Sequence, residues 1–91
     1  MDEHSSKVAR IRSFIVKKFP ASRRKHLDDT VPLLESGIID SLGVLDVVTF
    51  LEREFTIKVS DDELTPENFA NVQSLAFFVK SKTDQLGTSA T

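Results

Sequence analysis

Apolar residues recur at spacings of three and four in separate segments of this chain, which is the spacing that places side chains on one face of an α-helix. The first segment runs from about Ser5 to Phe19, and Pro20 ends it. Its apolar face consists of Val8, Ile11, Ile15 and Phe19, with Arg and Lys between them. A chain built from such segments must bury each apolar face against another helix, so the sequence predicts an all-α protein.

A second helix is predicted from Asp40 or Ser41 to about Phe55. Five apolar residues of this segment fall within one arc of the kind that faces a core: Val44, Val47, Val48, Leu51 and Phe55. The opposite side carries Leu42, Asp46, Thr49 and Arg53, with Leu45 and Glu52 on one flank. This outer surface is mixed, and Leu42 is an unusual residue for the exposed start of a helix.

Residues 21–36 lie between these two helices and show no sustained period, and Pro32 breaks what pattern there is. The sequence predicts a long connection here, with Val31, Leu33 and Leu34 held against the core. Gly37 follows at a point where a turn needs a positive φ angle.

Two more helices are predicted in the last third of the chain. A short one runs from Thr65 to about Ala70, with Thr as the cap and Pro at the first helical position, and it buries Phe69. Asn71 caps the last helix, which runs from Val72 to about Lys82. Small polar residues fill positions 83–91, where a frayed end is expected. The sum is a bundle of three main helices and one short helix.

The length of 91 residues fits a single domain, 1–91, with its body at about 5–82. The chain has no Cys, which excludes disulfides, thiolate zinc sites and cysteine nucleophiles. It has no apolar run of the roughly 20 residues that a membrane helix needs, and no apolar segment typical of a secretory signal near its first residue. We therefore expect a cytoplasmic protein without membrane insertion.

Charge is unevenly distributed along the chain. Residues 35–67 carry nine Asp/Glu and two Lys/Arg, a local balance of −7 within a net charge of −2. Such a zone favours basic partner surfaces and is unfavourable for nucleic acid. The basic run Arg23–Lys25 has no interleaved aromatic residues, so we expect no nucleic acid partner there either.

No group of residues predicts catalysis or a resident metal. His4 and His26 lack the spacing to Asp or Glu that a metal site or a catalytic triad requires, and we expect both to be solvated. The cluster Asp61, Asp62, Glu63 lacks the glycine of a calcium loop. The sequence predicts a protein that is not an enzyme.

Ser41 has two interpretations. As an ordinary N-cap it would accept a hydrogen bond from the helix backbone, although Asp40 could fill that role equally well. As a modified hydroxyl it would lie beside free N–H groups and the positive end of the helix dipole, a position suited to a phosphodiester anion. Leu42 would then be an apolar anchor next to the modified residue.

The stretch Leu34-x-x-Gly37-x-x-Asp40-Ser41-Leu42 resembles the attachment motif of the acyl and peptidyl carrier proteins. The continuation through Leu51, Glu52, Glu54 and Phe55 is similar to the second helix of that family, and DDELTPENFANVQSLAFFV is similar to its third and fourth helices. The resemblance covers about Val8 to Lys80.

The resemblance implies an acyl-carrier-protein-like, right-handed antiparallel four-helix bundle with a short third helix. It implies that Ser41 takes 4′-phosphopantetheine from coenzyme A through a Mg²⁺-dependent phosphopantetheinyl transferase. The arm ends in a thiol that carries an acyl or aminoacyl group as a thioester, which accounts for the absence of Cys. By position, the implied docking residues are Asp40, Leu42, Leu45, Asp46, Thr49 and Glu52.

The implied partners are the transferase, an acyl- or aminoacyl-loading ligase and downstream acyl-processing enzymes, served by a monomeric carrier. Gly43 stands where fatty-acid-type carriers usually have an acidic residue, Arg53 interrupts the acidic face, and Thr56 replaces a common Gly. These departures favour partners outside standard fatty acid synthesis, and the sequence leaves the cargo open among fatty acyl, polyketide, aminoacyl and D-alanyl groups. The alternative is an unmodified helical interaction module that binds partners through its acidic second helix.

Overall fold

A computed structural model describes residues 3–24 and 27–89, and all regular secondary structure in these residues is helical. The elements are α1 (Glu3–Lys18), α2 (Ala21–Arg24), α3 (Ser41–Phe55), a 3-10 turn (Asp61–Glu63) and α4 (Val72–Ser89). The predicted all-α class is confirmed. His26 lies outside the described residues, as does the side chain of His4. No helix within residues 3–24 and 27–89 is long and apolar enough to span a membrane.

The core forms chiefly where α1 packs against α4, and α3 closes one side of this pair. The predicted apolar faces supply most of it: Val8, Ile11 and Ile15 from α1, Val47 and Leu51 from α3, and Val72, Leu75, Ala76, Phe78 and Val79 from α4 are all buried. Val44, Val48 and Phe55 pack against this core while remaining partly exposed. The helical period therefore predicted most of the core that the helices supply, but not how deeply each residue is buried.

The connection before α3 contains a helix that the sequence did not predict. α2 consists of only four residues, too few for a period to be visible. Ser22 secures it, because its buried hydroxyl donates to the carbonyl of Phe19 at 2.7 Å and to that of Ile15 at 3.4 Å. α2 is therefore fixed to the end of α1 by a buried polar contact that a local pattern does not reveal.

The rest of this connection is attached to both flanking helices. The Arg12 guanidinium donates to Asp29 at 2.7 Å, and the carbonyl of Asp29 accepts from the Gln73 N–H at the start of α4. Asp28 closes a local turn by accepting from the Thr30 N–H, which with the Thr30 hydroxyl and the Val31 N–H lowers the pKa of its carboxyl.

The predicted burial of this connection is confirmed for Leu33 and wrong for Leu34. Leu33 is 2% exposed, and its N–H donates to the carbonyl of Ala70 at 2.9 Å. Leu34, the next residue in the turn that follows Pro32, is 43% exposed.

Residues Thr65–Ala70 form a single turn and not the predicted short helix. The Phe69 N–H donates to the Thr65 carbonyl, and Thr65 Oγ1 accepts from the Asn68 N–H at 3.3 Å, so the predicted cap is present. Phe69 is buried as predicted. The turn does not continue because the carbonyl of Ala70 accepts from Leu33 instead of from a further helical N–H. The nearby 3-10 turn, Asp61–Glu63, was not predicted.

α4 starts as predicted and ends later. Asn71 Oδ1 accepts from the Ser74 N–H at 2.7 Å, which confirms the cap. The helix continues to Ser89, past the predicted end near Lys82, and residues 83–89 are helical where a frayed end was expected. No proline follows Pro66, and the Lys80–Asp84 pair at 3.4 Å supports the additional turn.

Candidate functional site: the start of α3

A short buried segment holds the start of α3 in place. Gly37 has φ 81°, as predicted from its position in the turn, and its N–H donates to the Leu34 carbonyl at 3.1 Å. Ile38 and Ile39 follow and are 3% and 2% exposed. The Ile39 N–H donates back to the Leu33 carbonyl. Asp40 is therefore delivered to the helix start by a chain segment that is anchored on both sides.

Asp40 is the N-cap of α3. Its backbone is extended, with φ −97° and ψ −179°, and Oδ1 accepts from the Gly43 N–H at 2.6 Å. The Asp40 carbonyl accepts from the Val44 N–H, which begins the helical ladder. A cap of this kind is worth about 1 kcal/mol to the helix. The cap position is therefore filled by the residue before the serine.

Ser41 is consequently released from a capping role. It is the first residue of α3, it is exposed, and its Oγ makes no hydrogen bond with any described residue. The N–H groups of Ser41 and Leu42 likewise have no acceptor in the described part of the chain. The arrangement offers an accessible hydroxyl beside donors that suit a phosphodiester.

Gly43 lies where Phe19, the residue after α1, approaches the first turn of α3. A Cβ atom at this position would be 2.8 Å from Phe19 Cε1 and 2.9 Å from Ile39 Cγ2, well inside ordinary contact distance. The missing side chain therefore admits the ring of Phe19. The acidic residue that the resemblance leads one to expect here would not fit beside that ring.

Two leucines next to Ser41 are exposed, as the mixed outer face predicted. Leu42 is 76% exposed and Leu45 is 56% exposed, both on the outward side of the first turns of α3. Each exposes apolar area that water solvates poorly, and burial against another surface would recover free energy. An apolar contact surface therefore adjoins the free hydroxyl.

The polar members of the predicted docking surface divide into two kinds. Asp46 and Thr49 are exposed, with Thr49 Oγ1 donating to the Leu45 carbonyl one turn earlier. Glu52 is half-buried, and its Oε2 accepts from the Val59 N–H at 2.9 Å. Glu52 therefore holds the segment after α3 in place, and its carboxylate is less available to a partner than the sequence pattern indicated.

Sequence reasoning missed an apolar cleft beside this site. It has a volume of about 140 Å³ and is lined by Leu34, Val44, Leu64, Thr65, Pro66 and Phe69. Leu34 and Leu64, exposed to 43% and 37%, form its apolar rim. No local signal identifies these residues together, because they come from the connection before α3, from α3 and from the segment before α4. Leu34 stands in the attachment motif, but the motif does not say that it is exposed.

The comparisons with known proteins agree with this geometry. The family model described as "Phosphopantetheine attachment site" matches residues 10–79. The probable acyl carrier protein PigG of Serratia sp. is 33% identical over 72 residues, which is 79% of this chain and 83% of the relative. The acyl carrier protein AsbD of Bacillus anthracis is 27% identical over 70 residues, 77% of each chain. A holo acyl carrier protein from Nitrosomonas europaea, solved by NMR, has a TM-score of 0.65 and 31% identity over 91% of this chain and 99% of that one.

The chain belongs to the phosphopantetheine-binding family of acyl carrier proteins. It is an acyl carrier protein with covalently attached 4′-phosphopantetheine, it works with biosynthetic enzymes, and it is a carrier and not a catalyst. The resemblance drawn from the sequence is thereby confirmed, and the alternative of an unmodified interaction module is not favoured.

Proposed function

We propose that Ser41 bears the 4′-phosphopantetheine and that the start of α3 presents it to partner enzymes. The single observation that carries this assignment is the division between two neighbouring residues. Asp40 caps the helix through its bond to the Gly43 N–H, while Ser41 Oγ is exposed and makes no bond to a described residue. If the Ser41 hydroxyl capped the helix, its modification would break that hydrogen bond. Because Asp40 is the cap, modification of Ser41 leaves the capping bond intact.

The residues present fit the group. The free N–H groups of Ser41 and Leu42 and the positive end of the α3 dipole complement a phosphodiester anion on Ser41 Oγ. When bound, the group supplies the thiol that the chain itself lacks. Leu42 provides an exposed apolar surface beside it. Asp40 keeps the first turn of α3 formed, so that Ser41 stays at a fixed place on the surface.

The partners proposed are a phosphopantetheinyl transferase, an acyl- or aminoacyl-loading ligase and downstream acyl-processing enzymes. They dock on the outward side of α3, where Leu42, Leu45, Asp46 and Thr49 are exposed, and Asp40 lies at its edge. Glu52 contributes less, since it is bonded to Val59. The chain acts as a single carrier domain over 1–91, as a monomer in the cytoplasm, without nucleic acid or membrane insertion.

The assignment is tested by converting the purified protein with coenzyme A, Mg²⁺ and a broad-specificity transferase, with intact mass as the readout. The wild type gains one phosphopantetheine. Ser41→Ala gains no mass. In urea titrations its free energy of unfolding stays within about 0.5 kcal/mol of the wild type, because no hydrogen bond is lost.

Asp40→Ala is the matched control. It loses the cap and about 1 kcal/mol of stability, yet it still gains mass under saturating transferase because the hydroxyl is intact. A mass gain retained in Ser41→Ala, or a stability loss in Ser41→Ala as large as that in Asp40→Ala, contradicts the assignment.

A further inference from the structure

A groove of about 390 Å³ runs between α1 and α3 and reaches the proposed docking face at Asp46 and Thr49. Two half-buried aromatic rings form its floor. Phe14 from α1 and Phe50 from α3 are stacked with centroids 4.2 Å apart and planes 10° from parallel. Stacking of this kind packs the two helices against each other and presents a flat apolar surface.

Four charged side chains line the groove, the cations Lys18 and Arg53 and the acids Asp46 and Glu54. The side chains of Lys18 and Arg53 are exposed and have no hydrogen-bond or ion-pair partner among the described side chains. The carboxylate of Glu54, by contrast, is paired with Arg10 at 3.6 Å, and that guanidinium lies 6.0 Å from the centre of the Phe55 ring. Glu54 is therefore engaged on the α1 side, so the two unpaired cations Lys18 and Arg53 outnumber the one unpaired carboxylate of the lining, that of Asp46.

An apolar floor between two unpaired cations is complementary to an apolar side chain that stands beside a carboxylate. The ring or alkyl group gains free energy from burial, and the carboxylate is attracted to both cations. The unpaired charge in the groove is mostly positive, whereas residues 35–67 as a whole carry a balance of −7. Lys18 and Arg53 therefore select a carboxylate on a partner, and the exposed acids of residues 35–67 select a basic group.

We propose that the groove is a second docking site, which binds a protein segment that presents an apolar side chain flanked by carboxylates. The inference rests on the proposed function, because its partner is an enzyme that works on the group at Ser41. A partner with a basic area opposite Asp46 and an acidic group opposite Lys18 and Arg53 can seat the carrier in only one orientation, because reversing it would oppose like charges.

The test uses the holo form of the full chain, labelled with ¹⁵N, and a short synthetic peptide in which a central phenylalanine is flanked by glutamates. The amide signals of Phe14, Lys18, Phe50 and Arg53 shift on titration, and the affinity falls as salt is raised. Peptides with lysines for the glutamates, or with serine for the phenylalanine, leave these signals unchanged.

The double variant Lys18→Glu/Arg53→Glu binds the peptide at least about fivefold more weakly. The matched control Lys7→Glu/Lys58→Glu makes the same change in net charge at two cations that do not line the groove, and it binds like the wild type. Equal binding by the two double variants, shifts confined to other surfaces, or no shift with the glutamate peptide overturns the inference.

The same samples separate this inference from the assignment of Ser41. Conversion to the holo form is followed by intact mass before each titration. A double variant that is fully converted but does not bind the peptide supports the groove, whereas failure of the wild type to convert would count against Ser41 and not against the groove.

Discussion

At position 43 the absence of a side chain sets how closely α1 and α3 approach. From helix propensity alone, replacing Gly43 by Ala inside α3 should stabilise the chain by up to about 1 kcal/mol. The structure opposes that expectation, because the new Cβ would be 2.8 Å from Phe19 Cε1 and 2.9 Å from Ile39 Cγ2. Ile39 is buried and cannot move freely, so the steric cost exceeds the gain in propensity.

We expect Gly43→Ala to lower the free energy of unfolding by about 1 kcal/mol, measured by urea titration. In a Phe19→Leu background the penalty of Gly43→Ala is smaller, because one of its two close contacts becomes more pliable. A Gly43→Ala protein more stable than the wild type would show that the two helices do not require this glycine.

Thr56 ends α3 in a left-handed conformation, with φ 54° and ψ 51°, and it is the only non-glycine residue with positive φ in the described part of the chain. A β-branched residue is strained by about 1–2 kcal/mol in this region. Glycine would relieve the strain but lose more entropy on folding, about 0.4–1 kcal/mol. The difference still favours glycine.

Thr56→Gly should therefore raise the free energy of unfolding by roughly 0.5 kcal/mol. The same substitution at Thr49, in the middle of α3, should lower it by about 0.5 kcal/mol, since the backbone there is an ordinary right-handed helix in which Gly is somewhat poorer than Thr. Changes of opposite sign in the free energy of unfolding of the two variants, measured by urea titration, would verify the effect of the backbone angle. A lower free energy of unfolding in both variants would refute it.

At the scale of elements, one carboxylate connects the 3-10 turn to α4. Glu63 accepts from the Ser60 N–H at 3.0 Å, from the Ser60 hydroxyl at 3.2 Å and from Lys82 Nζ at 2.9 Å. The backbone bond from Ser60, followed by the Lys82 contact, lowers the pKa of Glu63. This contact helps to hold the segment that forms one wall of the cleft beside Ser41.

Because the pKa of Glu63 is lowered on folding, its contribution is present above the unfolded value of about 4.3 and is lost as the pH falls below it. We expect Glu63→Gln to reduce the free energy of unfolding by about 1 kcal/mol at pH 7. That difference from the wild type should shrink below about pH 4, where the carboxylate becomes protonated. Urea titrations at several pH values measure it.

Glu67→Gln is the control for this pH effect, since Glu67 is exposed and has no partner among the residues the structure describes. Its stability should follow the wild type at every pH. A penalty for Glu63→Gln that stays constant down to pH 3 would mean that the ionised carboxylate is not what holds the turn.

At the scale of the whole molecule, charge is arranged by region. α1 is rich in cations, and residues 35–67 carry the balance of −7. Asp46 is the first exposed acid within α3 after the proposed attachment point, whereas the Glu52 carboxylate is bonded to the Val59 N–H. Docking through the acidic zone should therefore depend on Asp46, and replacing Asp46 should not destabilise the fold.

Asp46→Lys should slow conversion by the phosphopantetheinyl transferase several-fold at low ionic strength, with the difference reduced in high salt. Its free energy of unfolding should stay within about 0.5 kcal/mol of the wild type. Glu52→Lys should instead lose about 1 kcal/mol of stability, because the Val59 N–H loses its acceptor. The conversion is measured as kcat/KM and the stability by urea titration.

Asp62→Lys makes the same change in net charge on the 3-10 turn, away from the outer face of α3, and should be converted nearly as fast as the wild type. Equal slowing by Asp46→Lys and Asp62→Lys would indicate that net charge, and not the face of α3, governs docking.

The sequence by itself determined the three main helices and the attachment motif. Helical period, proline and capping residues act over a few neighbouring positions, so α1, α3 and the start of α4 could be predicted, as could the positive φ of Gly37. The motif located the start of α3 for the same reason, since its residues are contiguous in the chain. α2 and the 3-10 turn were not predicted, because four and three residues are too few to show a helical period.

Only the tertiary structure decided the contacts made between distant segments. It assigned the cap to Asp40 and left Ser41 free, although both residues suit a helix start equally well. It bonded Glu52 to Val59, brought Phe19 against Gly43 and left Leu34 exposed. Each outcome depends on which backbone groups and apolar surfaces meet after the helices pack, and that free energy is not contained in any local stretch of the chain.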